Sequence, residues 1–304
     1  MSALSALSQS GILLEHCRSA IYLEAAIQDL DTLKAQCSRF LTELTALQQA
    51  YPDALLGAVL AFGDHIWRQL GKEGSAPELK PFVTLGKGNL AAPATQRDFL
   101  IHIQSLRADV TFSAAQMALN VFAGALQVDE ETHGFRWIEE RDLTGFIDGT
   151  ENPQGTDERA QVALIANGDD QGGSYVLTQR YEHQLDKWQK LSMEKQENVI
   201  GRTKVDSEEL DDVPDTSHVG RVDLKENGVG LKMVRQSLPY GKVSGAHGLY
   251  FICYCARLHN IEQQLRSMFG EIDGKTDRLL GFTKAVSGSY YYAPSIAQLK
   301  ALTE

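Results

Sequence analysis

The feature that most constrains this chain is an order of periodicities that occurs twice. Ala20 to Ile27 is a β-rich run, after which Leu33, Cys37, Phe40, Leu41, Leu44 and Leu47 recur at the spacing of one helix face from about Asp31, with Pro52 closing the segment. Leu55 to Phe62 and Phe99 to Gln104 read as strands, separated by a Gly/Pro-containing loop from Gly71 to Pro93. A helix over Ala108 to Leu126 and a strand over Val128 to Trp137 complete the half. The order then returns, although the residues barely repeat: strand Ser174 to His183, helix Leu185 to Ile200, strands Leu231 to Leu238 and Leu249 to Ala256, helix Asn260 to Phe269, and strand Phe282 to Tyr292. A β-α-β-β-α-β order twice over predicts an α+β protein of two ferredoxin-like sandwiches, each an antiparallel sheet with helices on one face. The predicted units are 1–141 and 142–304. The second opens on Asp142 to Gly173, a Gly-, Asp- and Asn-rich stretch long enough to fold over a site.

Composition narrows the function classes. The longest apolar runs, Leu55 to Phe62 and Leu249 to Ala256, fall far below the roughly 20 residues that a membrane helix requires, so no membrane partner is expected. Gly11 to Leu14 is too short for a signal peptide and is followed by Glu15, His16 and Arg18. Cys17, Cys37, Cys253 and Cys255 stand in apolar contexts, which fits reduced, buried thiols and a cytoplasmic location better than a disulfide framework. Cys253 and Cys255 share one face of an alternating strand, and no second pair at ligand spacing completes a zinc site. A net charge of -11 without a basic stripe argues against nucleic acid.

Three short stretches carry chemistry. In Gly145-Phe146-Ile147-Asp148-Gly149-Thr150-Glu151-Asn152-Pro153, the glycine after Asp148 permits a tight turn that projects the carboxylate into a cavity. Composition alone favours a plain surface turn. In Ser217-His218-Val219-Gly220-Arg221-Val222, a histidine among apolar and strand-forming residues is either a structural residue or a ligand. In Val234-Arg235-Gln236-Ser237-Leu238-Pro239-Tyr240-Gly241, an arginine in a run suited to burial needs an anionic partner, for which a carboxylate, a phosphate or a cofactor propionate would serve.

Together these stretches resemble the distal aspartate motif, the proximal histidine segment and the distal arginine strand of the dye-decolourising haem peroxidase family. The resemblance is closest to the bacterial cytoplasmic branch and runs from Gln9-Ser10-Gly11-Ile12-Leu13 to Tyr290-Tyr291-Tyr292-Ala293-Pro294-Ser295. It implies one haem b per chain, with His218 as the proximal iron ligand and Asp277 accepting a hydrogen bond from the other ring nitrogen. A carboxylate partner of this kind fixes the imidazole tautomer and strengthens it as a donor. Asp148 and Arg235 are then the catalytic pair. Hydrogen peroxide must lose a proton from one oxygen and regain one on the other before its O–O bond breaks heterolytically, a relay that suits a carboxylate. Arg235, permanently charged, stabilises the negative charge on the departing oxygen and lies within reach of a propionate.

The resemblance also makes Phe251 a distal-face aromatic and runs Gly149, Thr150 and Glu151 past the haem edge. His247 and His259 stay open as axial ligands, and no role falls between Lys204 and Thr216. The implied activity is reduction of hydrogen peroxide with oxidation of one-electron donors such as dyes, phenolics or porphyrinogens. The alternative is a haem- or porphyrin-handling protein, through porphyrinogen oxidation, iron release, storage or transfer. Storage alone requires neither Asp148 nor Arg235. A homo-oligomer is expected, since relatives of this fold commonly self-associate.

Overall fold

The computed structural model describes residues 3–70 and 73–303; Gly71 and Lys72, the first residues of the loop expected over 71–93, lie outside the described residues. The N-terminal half runs β1 (Ser19–Ile27), α1 (Leu30–Ala50), β2 (Gly57–Phe62), α2 (Asp64–Gln69), β3 (Phe99–Ser105), α3 (Ala108–Val121) and β4 (Leu126–Phe135). Asp29 caps α1 by accepting from the Thr32 N–H at 3.0 Å, and the helix buries Leu33, Cys37, Phe40 and Leu44. After α4 (Thr156–Ala163) come β5 (Ser174–His183), α5 (Leu185–Trp188), α6 (Met193–Ile200), α7 (His218–Val222), β6 (Lys225–Glu226) and β7 (Val229–Gly230). The chain finishes with β8 (Val234–Arg235), β9 (Leu238–Gly241), β10 (His247–Cys255), α8 (Leu258–Met268), β11 (Thr283–Ala285), β12 (Ser289–Ala293) and α9 (Ile296–Lys300).

The antiparallel, α+β character is as expected, but the two sheets are joined. β12 pairs with β2 and β4 pairs with β9, so strands from both halves form one ten-stranded sheet. β5 pairs with both β12 and β10, which closes that sheet on itself. Closure removes the exposed edges that two open sheets would leave. Inside the closed sheet lie Tyr22, Val59, Leu100, Tyr250, Tyr254 and Tyr291, with the Glu24 carboxylate accepting from the hydroxyls of Tyr250, Tyr291 and Thr178. The outer face packs under the helices, including Phe40 of α1, Ala114 of α3 and Leu265 of α8.

Several expected elements shift for local reasons. Leu55 has a φ of 47°, so the strand expected from Leu55 starts at Gly57. The helix expected over 185–200 divides into α5 and α6, because Ser192 is extended and caps α6 by accepting from the Lys195 N–H. The last strand divides into β11 and β12, where Ser287 Oγ takes the Arg180 N–H at 2.8 Å and interrupts the ladder. The strand expected over 231–238 divides at Gln236, whose side chain leaves the sheet to donate to the Ile12 and Leu14 carbonyls.

Candidate active site

His218 is the first residue of α7. Ser217 caps that helix, accepting from the Gly220 N–H at 3.1 Å while donating to the Pro214 carbonyl at 2.7 Å. Arg221, one turn on, is buried and grips Asp273 with two nitrogens at 3.0 and 2.9 Å, and donates to the Ser267 carbonyl at 3.2 Å, which ties α7 to the end of α8. His218 Nδ1 donates to Asp277 Oδ2 at 2.7 Å, and Asp277, 1% exposed, also accepts from the Leu279 N–H at 2.8 Å. With Nδ1 so engaged, Nε2 is the nitrogen left for a ligand bond, and it has no hydrogen-bond partner among the described residues.

Asp148 and His218 line one cavity, and the Asp148 loop is held as firmly as α7. Its base is pinned by Arg141, which donates to the carbonyls of Gly145, Lys204 and Val205, and by Asp142. Asp142 accepts from the Thr144 N–H and hydroxyl and from His183 Nε2 at 2.9 Å, and His183 Nδ1 meets the Thr283 hydroxyl at 2.8 Å. Burial pushes the Asp142 carboxyl up, but the His183 ring and the Thr144 donors outweigh it and hold the group below the usual range. Gly149, with φ of 77°, lets the chain turn just past Asp148. Asn152 then fastens the loop to β8: its Oδ1 accepts from the Arg235 N–H at 2.8 Å and its Nδ2 donates to the Arg235 carbonyl at 2.9 Å.

Asp148 and Arg235 stand at a partition between two cavities. One is polar, about 740 Å³ with the solvent space at its mouth included, lined by Glu15, Arg136, Glu140, Asn152 and Gln154 together with both partition residues. The other is largely apolar, about 1020 Å³ with the solvent space at its mouth included, and lies against the outer face of β5 and β10. Alternate residues of β5 (Leu177, Gln179, Tyr181 and His183) share one of its walls with Leu249 and Phe251 of β10. His218 of α7 and Ile261, Leu265 and Met268 of α8 form the opposing wall. Burial pushes the Asp148 carboxyl above the ordinary range; the Arg235 charge and the Gly149 N–H pull it back, and the Asp142 charge adds to the rise. Arg235 Nε is buried without an acceptor among the described residues.

The residues fit the haem that the resemblance implies: a cavity with apolar walls, one imidazole nitrogen free to bind iron, and an unmatched cationic donor for an anionic edge. Of the expected site residues, His218, Asp148, Arg235 and Phe251 line this cavity, and Asp277 lies directly behind His218. Gly149 lines the polar cavity instead. Thr150 and Glu151 are exposed, with Glu151 paired to Arg202. His247 bonds the Gly245 carbonyl and His259 bonds Glu226, and neither lines the apolar cavity, which removes both as axial candidates. Sequence reasoning gave no role to Asn152, although it stands in the quoted motif. It also missed the Asp142–His183 and Arg221–Asp273 pairs, whose partners are 41 and 52 residues apart.

Comparison with known proteins gives the class. Residues 9–136 match the family model described as Dyp-type peroxidase, N-terminal, and residues 139–298 match Dyp-type peroxidase, C-terminal. The chain belongs to the DyP-type (dye-decolourising) peroxidase family. It is 39% identical to the dye-decolorizing peroxidase of Mycobacterium tuberculosis (strain ATCC 25618 / H37Rv), over 97% of this chain and 90% of that protein. Among solved structures, the dye-decolorizing protein from V. cholerae superposes with a TM-score of 0.91 at 47% identity, covering 97% of this chain and 99% of that one. A variant of Rhodococcus jostii RHA1 DypB in complex with heme superposes with a TM-score of 0.90 at 34% identity, covering 96% and 98%.

Proposed function

We propose that the apolar cavity holds the haem of this peroxidase, where His218 Nε2 would bind the iron and Asp148 and Arg235 would act on hydrogen peroxide. The chain is a haem peroxidase of the DyP type. Its co-substrates are one-electron donors such as dyes, phenolics or porphyrinogens. The observation that carries the site assignment is the division of His218, with Nδ1 given to buried Asp277 and Nε2 left to a cavity whose partition bears Asp148 and Arg235.

Bound haem supplies the redox centre that peroxide oxidises and that donors reduce. The protein's own part is binding, orientation and proton handling. Asp277 keeps the His218 proton on Nδ1 and so keeps Nε2 an electron-pair donor. Phe251, Leu177 and Leu249 exclude water from the apolar wall. Peroxide enters by the polar cavity, which reaches the same two residues from the other side. Ionised Asp148 takes the proton from one peroxide oxygen and returns it to the other, and the Arg235 guanidinium stabilises the charge on the departing oxygen. Gly149 supports this by its turn; Thr150 and Glu151 shape the loop mouth, where Glu151 engages Arg202.

The two halves, 1–141 and 142–304, are read as duplicated ferredoxin-like units, supported by β1-α1-β2-β3-α3-β4 in the first and by β5, α6, β10, α8 and β12 in the second. A cytoplasmic location is supported by four free, buried cysteines. Among the described residues, no helix is long and apolar enough to cross a membrane. Self-association is the remaining part of the reading, and light scattering at micromolar concentration tests it. The catalytic assignment is tested by absorption spectra of haem-loaded protein before and after one equivalent of peroxide. Wild type is expected to convert rapidly, and Asp148→Ala and Arg235→Leu slowly at equal haem content. Wild-type rates in both variants would reject the pair.

A further inference from the structure

Gln179 has no part in the roles above, although it lies in the middle of the cavity wall. It stands on β5 opposite Phe251 of β10 and is completely buried. Its Oε1 accepts from the Tyr181 hydroxyl at 2.9 Å, which fixes the orientation of the amide. Nε2 is then left without an acceptor among the described residues. The neighbouring wall residues Leu177 and Phe251 carry no side-chain acceptor. Buried amide N–H groups are seldom left unmatched, because losing water without gaining a partner opposes folding.

Four buried side-chain atoms among the described residues have no partner: His102 Nε2, Gln179 Nε2, Arg235 Nε and Ser267 Oγ. Of these residues only Gln179 and Arg235 line the apolar cavity, and both of their unmatched atoms are donors. That pattern calls for a ligand with acceptors at its edge. We propose that Gln179 binds a carboxylate of the haem, Nε2 donating to a propionate oxygen while Tyr181 acts as the positioning residue that holds the amide in place. This rests on the haem reading above. Haem b offers hydrogen-bond acceptors at its periphery only on its two propionates. Gln179 is two strands from Arg235, through β10, or about 10 Å across the sheet, so it stands away from the partition where peroxide is handled.

The test uses the ligand's own chemistry. Apoprotein is titrated with haem and with haem dimethyl ester, which keeps the iron and the ring but lacks the carboxylates, and affinity is read from the Soret absorbance. Wild type, Gln179→Leu and Tyr181→Phe are compared. His218 ligation is common to both ligands, so the ratio of the two affinities isolates recognition of the carboxylates. Gln179→Leu is expected to weaken haem about tenfold or more while changing ester binding less than about twofold, since a hydrogen bond to a charged group is lost only with haem. Tyr181→Phe is expected to move the ratio the same way by a smaller factor. A wild-type ratio in Gln179→Leu, whether both affinities fall or neither does, overturns the inference. Failure of wild-type apoprotein to bind haem at all would instead overturn the haem reading itself.

Discussion

The side-chain amide of Asn152 pairs with the backbone of Arg235 as a neighbouring strand would, accepting at 2.8 Å and donating at 2.9 Å. On its other side β8 pairs with β10 through Arg235 and Cys253, so the Arg235 backbone is held from both directions. The loop with the proposed proton relay and the strand with the proposed charge donor are thereby locked together. Asn152→Ala removes both bonds, and each partly buried bond contributes on the order of 1 kcal/mol. Urea unfolding of the apoprotein is expected to show a loss of about 2 kcal/mol, and stopped-flow mixing a slower reaction with peroxide at unchanged haem content. An unaltered rate with the expected loss of stability would confine Asn152 to a folding role.

The pH dependence of the peroxide reaction follows from Asp148. Burial raises its carboxyl above the usual range, against the pull of Arg235, and Asp142 adds to the rise. Proton removal requires the ionised form, so the rate constant is expected to climb as pH rises through this elevated value and then level off. Asp142→Asn removes a negative charge and is expected to move the inflection to lower pH. Arg235→Leu removes a positive charge and is expected to move it higher, with a plateau about 100- to 1,000-fold lower. An inflection that neither change moves would show that another group titrates.

Much of this fold is legible in the chain because its signals are local. The α1 face from Leu33 to Leu47 and the β5 run from Ser174 to His183 each announce themselves by their own spacing, and both form where expected. Closure of the sheet is not local: it depends on single pairings such as Gly134 with Tyr240 and Tyr292 with Phe62, between strands more than 100 residues apart. The proximal segment shows the same limit. Val219 and Val222, beside His218, read as strand-forming, yet Ser217 caps a five-residue helix that Arg221 anchors to Asp273. Propensity is a weak prior beside a cap and a buried two-nitrogen clasp. Gln179 gave no signal at all, since a glutamine in a strand shows neither its burial nor the Tyr181 bond that orients it.

The inside of the closed sheet sets an acid limit on stability. His102 is fully buried, stacked on Tyr22 and bonded through Nδ1 to the Tyr254 hydroxyl at 2.8 Å, and burial lowers its pKa to about 3. An unfolded histidine titrates near 6.5, so the unfolded state takes up the proton first. This contribution to stability is complete above about pH 6.5 and is lost as pH falls toward 3, amounting to about 3 kcal/mol by pH 4. Urea unfolding of His102→Gln is expected to show a smaller drop between pH 7 and pH 4 than wild type by about that amount. Equal drops would place the acid sensitivity elsewhere.

The central claim is that His218 Nε2 holds the iron, and the most direct measurement is the ferric haem spectrum of His218→Ala with and without free imidazole. Removing the side chain leaves Asp277 and the cavity walls in place, with room for an imidazole where the ring stood. The variant is expected to lose most of its haem on gel filtration and to lack the imidazole-ligated absorption and electron paramagnetic resonance signals. Added imidazole is expected to restore both the signals and haem retention. A His218→Ala protein that keeps its haem with the wild-type spectrum, in buffer free of imidazole, would contradict the assignment.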